Sequence, residues 1–129
     1  LCIEHFPGSA FPTASATLNF IGGIDHPNLY LLLDIGHTQI SNEDPAEVIA
    51  SAGPKLGYVH LDDNDGQGDL HWALTDGVQT ENSLRQTFEA LEKIQYSGPV
   101  SLELSAKLTN PLDALIRNRE LVLNLASFS

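Results

Sequence analysis

Leu29-Tyr30-Leu31-Leu32-Leu33-Asp34-Ile35-Gly36-His37 is the stretch that decides the fold. The apolar run Leu29–Leu33 has the length and bulk of a strand buried on both faces, as in a parallel sheet. It stops abruptly at Asp34. His37 follows three residues later, and Gly36 lets the chain turn between them. A carboxylate and an imidazole thus stand together just past the end of a buried strand, where parallel α/β proteins place their chemistry.

Working outward from this run, the same arrangement recurs. Leu1-Cys2-Ile3 is a short apolar strand ending in Glu4, with His5 and Phe6-Pro7-Gly8-Ser9 as the loop beyond it. A helical pattern covers about Ser15 to Ile21, with Thr13 or Ser15 as N-cap and Gly22-Gly23 as the stop. Asp25-His26-Pro27-Asn28 reads as a turn, and His26 as a loop residue. After His37, the acid-then-Pro start at Asp44-Pro45 opens a helix to Ala52, closed by Gly53-Pro54. Leu56-Gly57-Tyr58-Val59 is the third strand and ends in His60. The segment from Asp62 to Trp72 is too long and too rich in Gly and Asp for a plain connector. Asp62, Asp63 and Asp65 read as turn formers, Asp63 being the one expected to point inward, and Trp72 as core or rim packing. The longest helix runs from Glu81 or Ser83 to Ile94, with Leu84, Phe88 and Leu91 on one stripe. Val100–Leu104 is the fourth strand and carries Glu103 near its end. Asn110-Pro111 opens the last helix, whose expected apolar stripe is Leu112, Leu115, Ile116, Leu121, Val122 and Leu125.

Four strands alternating with helices predict an α/β fold of four consecutive βα units with parallel strands and right-handed crossovers, either an open sheet or half of an eight-stranded barrel. The 129 residues suffice for one domain with a real core. No strand is followed by a Gly-rich phosphate fingerprint, which argues against a dinucleotide fold. The net charge of −11 repels nucleic acid and anionic membrane surfaces. No apolar run approaches the ~20 residues of a membrane span. Cys2, the sole cysteine, reads as a small apolar residue, and the absence of any internal disulfide suggests a reducing, cytoplasmic setting. The chain opens inside a strand without Met, so residues 1–129 are expected to be a single unit belonging to a longer chain.

The four strand ends are therefore Glu4, Asp34, His60 and Glu103. All are oxygen or imidazole donors, and in a parallel sheet they lie on one side. Carboxylates gathered there repel unless a cation sits among them. Oxygen ligands plus a histidine describe a site for a divalent metal: Zn, Mn, Co or Mg. His37, Asp69 and His71 can reach the same place and are candidates for a second metal or for substrate contact.

These segments resemble the C-terminal half of the xylose-isomerase-like TIM-barrel superfamily. The match runs through Cys2-Ile3-Glu4, Leu33-Asp34-Ile35-Gly36-His37, Val59-His60-Leu61-Asp62-Asp63-Asn64-Asp65-Gly66, Asp69-Leu70-His71, Asp76-Gly77 and Gly98-Pro99-Val100-Ser101-Leu102-Glu103. The resemblance implies half of a (βα)8 barrel from a sugar or sugar-phosphate isomerase or epimerase. On that pattern Glu4, Asp34, His60 and Glu103 hold one metal, and Glu4 and Glu103 also move the proton next to a carbonyl. It implies a match of Asp69 and His71 to a pair that binds further metal in zinc AP endonucleases. Several relatives carry an Arg where this chain has Asn64-Asp65-Gly66-Gln67, so the resemblance does not extend to a phosphate contact there. Two other readings follow: a zinc-dependent AP endonuclease-like phosphodiesterase acting on DNA, which the charge opposes, and an inactive barrel part serving as a binding or assembly module. Half a barrel leaves edge strands unpaired, so pairing with a missing half or with a copy of itself is expected, and the isolated chain is expected to be inactive.

Overall fold

The structure is a computed structural model and describes residues 1–126. Its elements are β1 (Cys2–Glu4), α1 (Ala14–Ile24), β2 (Tyr30–Asp34), α2 (Ile35–Ser41), α3 (Pro45–Ala52), a single 3-10 turn over Gly53–Lys55, β3 (Leu56–Leu61), α4 (Glu81–Lys93), β4 (Val100–Leu102) and α5 (Pro111–Leu125). All four strands are parallel, in the order β1-β2-β3-β4. Strands in sequential order with helical crossovers make one wall of a barrel.

The period of two along each strand divides the sheet into two unlike faces. Leu31 and Leu33 of β2, with Val59 and Leu61 of β3, point to the helices and are sealed in the core. There they join Ile21 of α1, Val48 and Ile49 of α3, and Leu84, Phe88 and Leu91 of α4. Tyr30 and Leu32, on the other face, are only partly buried. Burial on both faces, expected from the Leu29–Leu33 run, is thus met on one face. No described element covers the second.

Local sequence explains most boundaries. The Thr13 side chain caps α1 by accepting from the Ala16 N–H at 3.0 Å. Helix α1 runs through Gly22-Gly23 to Ile24, where Asp25 in the left-handed region closes it. The glycine pair was expected to stop the helix, but nothing in its surroundings demands a positive φ. Asp44 caps α3 with Pro45 in its first turn. Asn110 precedes Pro111 as expected, yet its side chain makes no capping bond. Gly57 is the extra residue of a register shift between β2 and β3, and any side chain there would collide with Tyr30 and with Sγ of the half-buried Cys2.

Two expectations fail at helices. Residues 35–41 form α2, a helix where a simple turn was expected; the Asp34 side chain caps it by accepting from the His37 N–H at 3.0 Å. In α5 the stripe is rotated: Ala114, Asn118 and Leu125 are buried, while Leu112, Leu115 and Ile116 are exposed. Asn118 fixes that rotation. Its Oδ1 accepts from the Leu74 N–H at 2.7 Å, and Arg117 pairs with Asp76 through two 2.9 Å bonds.

Candidate metal centre

Parallel strands deliver Glu4, Asp34 and His60 to one side of the sheet. Asp34 pairs in register with His60, and Glu4 pairs with Leu32, which faces the same way as Asp34. Glu103 directly follows β4 and is held by its N–H to the Leu61 carbonyl at 3.0 Å. The four predicted residues converge: each offers one ligand atom within 4.8 Å of the others. His60 Nδ1 lies 2.6 Å from Glu103 Oε2, 3.8 Å from Glu4 Oε1 and 3.9 Å from Asp34 Oδ2.

The 2.6 Å contact is within hydrogen-bond reach, whereas the 3.8 and 3.9 Å separations are too long for hydrogen bonds and leave room for a shared cation. His60 Nδ1 and Asp34 Oδ2 are buried and have no hydrogen-bond partner, despite the close carboxylates. Buried polar atoms left in this way point to a missing ligand. Burial, then the charge of Asp34, holds the Glu4 carboxyl above its usual pKa against the pull of His37 and His60. The donor set therefore fits a divalent metal.

Each ligand is fixed by its own element. Asp34 uses Oδ1 to cap α2, which leaves Oδ2 for the site. His37, one turn into α2, sends Nδ1 to the His5 carbonyl at 2.8 Å. A carbonyl only accepts, so Nδ1 carries a proton and Nε2 is the nitrogen turned toward the site. That Nε2 stands 3.3 Å from Asp69 Oδ1, and His71 Nε2 stands 3.3 Å from the same oxygen. The candidates His37, Asp69 and His71 thus meet at one carboxylate oxygen beside the four-residue group.

Sequence reasoning missed two members. His5, expected in a loop, is fully buried: its Nε2 accepts from the Asp34 N–H at 3.3 Å, and its ring meets the His37 ring edge-on. Burial, with the His37 charge, pushes its pKa down to about 4, so it stands neutral. Asp62, expected as a turn former, is also fully buried. Its Oδ1 accepts from the Gly36 N–H at 3.1 Å, and its Oδ2 lies 2.9 Å from His71 Nδ1. Burial, followed by the charge of Asp34, pushes its pKa up to about 9. A signal existed for Asp62: the period of two that aims His60 inward also aims the residue two positions on.

The neighbouring aspartates differ. Asp63 points inward as expected and organises the long loop, accepting from the N–H groups of Asn64, Gly77 and Gln79. Trp72, partly buried, bridges Asp63 through paired backbone bonds. Asp65 is a turn former, accepting from Gln67 and Gly68, and His26 is an exposed turn residue. Among the described residues, no helix is long and apolar enough to cross a membrane.

The chain and its fold are similar to known proteins. L-ribulose 3-epimerase of Methylomonas sp. (strain DH-1) is 27% identical over 114 residues, covering 84% of this chain and 36% of its own length. D-psicose 3-epimerase of Enterocloster bolteae is 26% identical over 105 residues, covering 78% of this chain and 31% of the relative. The chain therefore spans well under half the length of the curated relatives it matches. The crystal structure of a D-tagatose 3-epimerase-like protein superposes with a TM-score of 0.77 at 25% identity, covering 95% of this chain and 45% of that one. A D-allulose 3-epimerase from Methylomonas sp. gives 0.69 at 27% identity, over 82% and 35%. A sequence model of the family described as xylose isomerase-like TIM barrel matches residues 1–123, and this chain belongs to that family.

Proposed function

We propose that this chain carries the metal-binding half of a sugar or sugar-phosphate isomerase or epimerase. The observation that supports this most is the convergence of Glu4, Asp34, His60 and Glu103 from four strand ends within 4.8 Å of one another, in a chain whose relatives include 3-epimerases of ribulose and psicose. A divalent ion held there, Zn, Mn, Co or Mg, supplies Lewis-acid polarisation of a sugar carbonyl.

The chain's own residues do the rest. Glu4 comes from one edge strand and Glu103 follows the other, so the two carboxyls approach a sugar from opposite sides. One takes the proton from the carbon next to the carbonyl, and the other returns a proton to the opposite face. Inversion at that carbon is the result. Asp34 and His60, between them, hold the site without joining the proton transfer.

The barrel is completed by further strands. Among the described residues, β1 and β4 each have an unpaired edge, and Leu115, Val122 and Leu123 of α5 line an apolar groove with Leu61 and Leu102. Unpaired edges of this kind demand cover. The missing half-barrel, or a second copy, provides it, so the unit over residues 1–129 works as half of a larger domain and is inactive alone. Unpaired Cys2 suits a reducing compartment such as the cytoplasm. The partner is a small sugar; the −11 charge opposes both nucleic acid and an endonuclease role.

Hydrogen exchange from solvent into the substrate, measured on the barrel completed by its other half with L-ribulose and D-psicose as probes, tests the reading by NMR. Exchange confined to the carbon beside the carbonyl, and lost in Glu103→Gln, is expected. Undiminished exchange in that variant would overturn the role of Glu103.

A further inference from the structure

Phe20 and Ile24 of α1, and Leu112, Leu115 and Ile116 of α5, are exposed on the two end units of the sheet, which the missing half adjoins. Phe6 is 47% exposed and also follows an end strand, but its ring is turned toward the neighbouring unit. It meets the ring of His37 in α2, with centroids 5.2 Å apart and planes at 88°. The ring nitrogens of His37 in turn lie 3.8 Å from Glu4 Oε1 and 3.9 Å from Asp34 Oδ2. Phe6 therefore stands beside the metal centre. Its loop holds it there: the Phe6 N–H donates to the Phe11 carbonyl at 3.2 Å, and the Phe6 carbonyl accepts from the Ser9 N–H at 3.0 Å. Gly8, at φ 83°, permits that tight turn. The ring is thus fixed in place without being buried. Tyr58 also meets a ring of the centre, that of His60, but it lies two residues earlier in β3, on the N-terminal side of the ligands.

A sugar presents hydroxyls along its edges and C–H groups on its faces. Glu4, Asp34, His60 and Glu103 suit the carbonyl and the hydroxyls and offer nothing to carbon-bound hydrogen. An aromatic face carries the negative side of its quadrupole and attracts such weakly positive C–H groups. Small-molecule sites accordingly combine a few polar groups with apolar and aromatic walls. We propose that Phe6 is a substrate-contacting residue whose ring takes the C–H face of the sugar held at the metal centre, an assignment that rests on the isomerase or epimerase function proposed above. Carbons packed on the ring gain no charge as the proton moves, so the contact is as strong in the ground state as in the transition state. Uniform binding of that kind lowers KM and leaves kcat unchanged.

Hydrogen exchange into D-psicose, followed by NMR on the barrel completed by its other half, tests it. Phe6→Ala is expected to raise KM about 10-fold, with kcat within about twofold of the wild type. Phe6→Trp is expected to keep the wild-type KM. Phe6→Leu is expected to behave as Phe6→Ala, because bulk without an aromatic face does not replace the ring. Mn2+ bound per chain, counted by equilibrium dialysis, is expected to be the same in all of them. An unchanged KM in Phe6→Ala, with exchange still abolished by Glu103→Gln, would overturn the role of Phe6 while the proposed function stands. A fall of kcat or of bound Mn2+ in Phe6→Ala that Phe6→Leu restores would overturn it too, because the side chain would then serve only to prop His37. A wild type that exchanges nothing would overturn the proposed function, and the role of Phe6 with it.

Discussion

Gly36 donates its N–H to Asp62 Oδ1 at 3.1 Å, and the space a Cβ would need at Gly36 is filled by that same carboxylate. The Gly36 carbonyl in turn accepts from Asn64 Nδ2 at 2.9 Å. One residue at the start of α2 is therefore gripped from both sides by the loop that follows β3. Ligands from two different crossovers are locked into one geometry.

Gly36→Ala is accordingly expected to destabilise the fold by about 1–3 kcal/mol, the usual cost of overpacking a tight site. A denaturant melt measures it. A midpoint equal to the wild type would show that the carboxylate has room to move.

Asp63 should matter as much for stability, for a different reason. It is fully buried and accepts three backbone N–H groups from residues 64 to 79. Asp63→Ala leaves those donors unsatisfied and is expected to cost about 3 kcal/mol. Limited proteolysis should then cut between residues 64 and 79, where the wild type resists.

Glu43 gives the fold an acid-sensitive joint away from the metal centre. Its carboxylate accepts from the Ala14 and Ser15 N–H groups at the start of α1, and from the Ser15 and Ser41 hydroxyls. Burial alone would raise its pKa, but the bonds from Ser15, Ser41 and Ala14 outweigh burial and hold it below the usual carboxylate value. A folded-state pKa below the unfolded one means the contribution is fully present above about pH 4.5 and is lost as pH falls through the folded value. Glu43→Gln should remove that part of the pH dependence and cost about 1 kcal/mol at neutral pH, the usual value of a helix cap. Melts recorded from pH 7 to pH 3 on both proteins check the sign.

Removing the imidazole of the first centre should strip its metal. His60→Ala is expected to weaken binding by more than about 100-fold, beyond the range of outer-shell substitutions. Glu103→Gln, which keeps one oxygen donor, should bind metal more weakly yet lose proton exchange altogether. Calorimetric titration with Mn2+ separates the two effects. Unchanged metal content in His60→Ala would remove it from the ligand set.

Much of this protein was legible in its sequence because the signals are local. The run Leu29–Leu33, the cap-then-proline start at Asp44-Pro45 and the stripe Leu84, Phe88, Leu91 each report their own segment. Four acids and imidazoles at the ends of alternating strands required only the rule that parallel strands share a direction. What the sequence alone determined was therefore the order of the strands and of the helices other than α2, the parallel sheet and the convergence of Glu4, Asp34, His60 and Glu103. Tertiary structure decided everything that depends on burial by distant segments. His5 lies in the loop after β1, as expected, but its ring is sealed against His37 of α2. Asp62 became a buried carboxylate because Gly36 left room for it. The exposure of Leu112, Leu115 and Ile116 follows from the hold of Asn118 on Leu74, across 44 residues of chain. Such contacts join residues whose sequence separation carries no periodicity, so only the folded chain reveals which polar atoms are sealed from water and left to bind an ion.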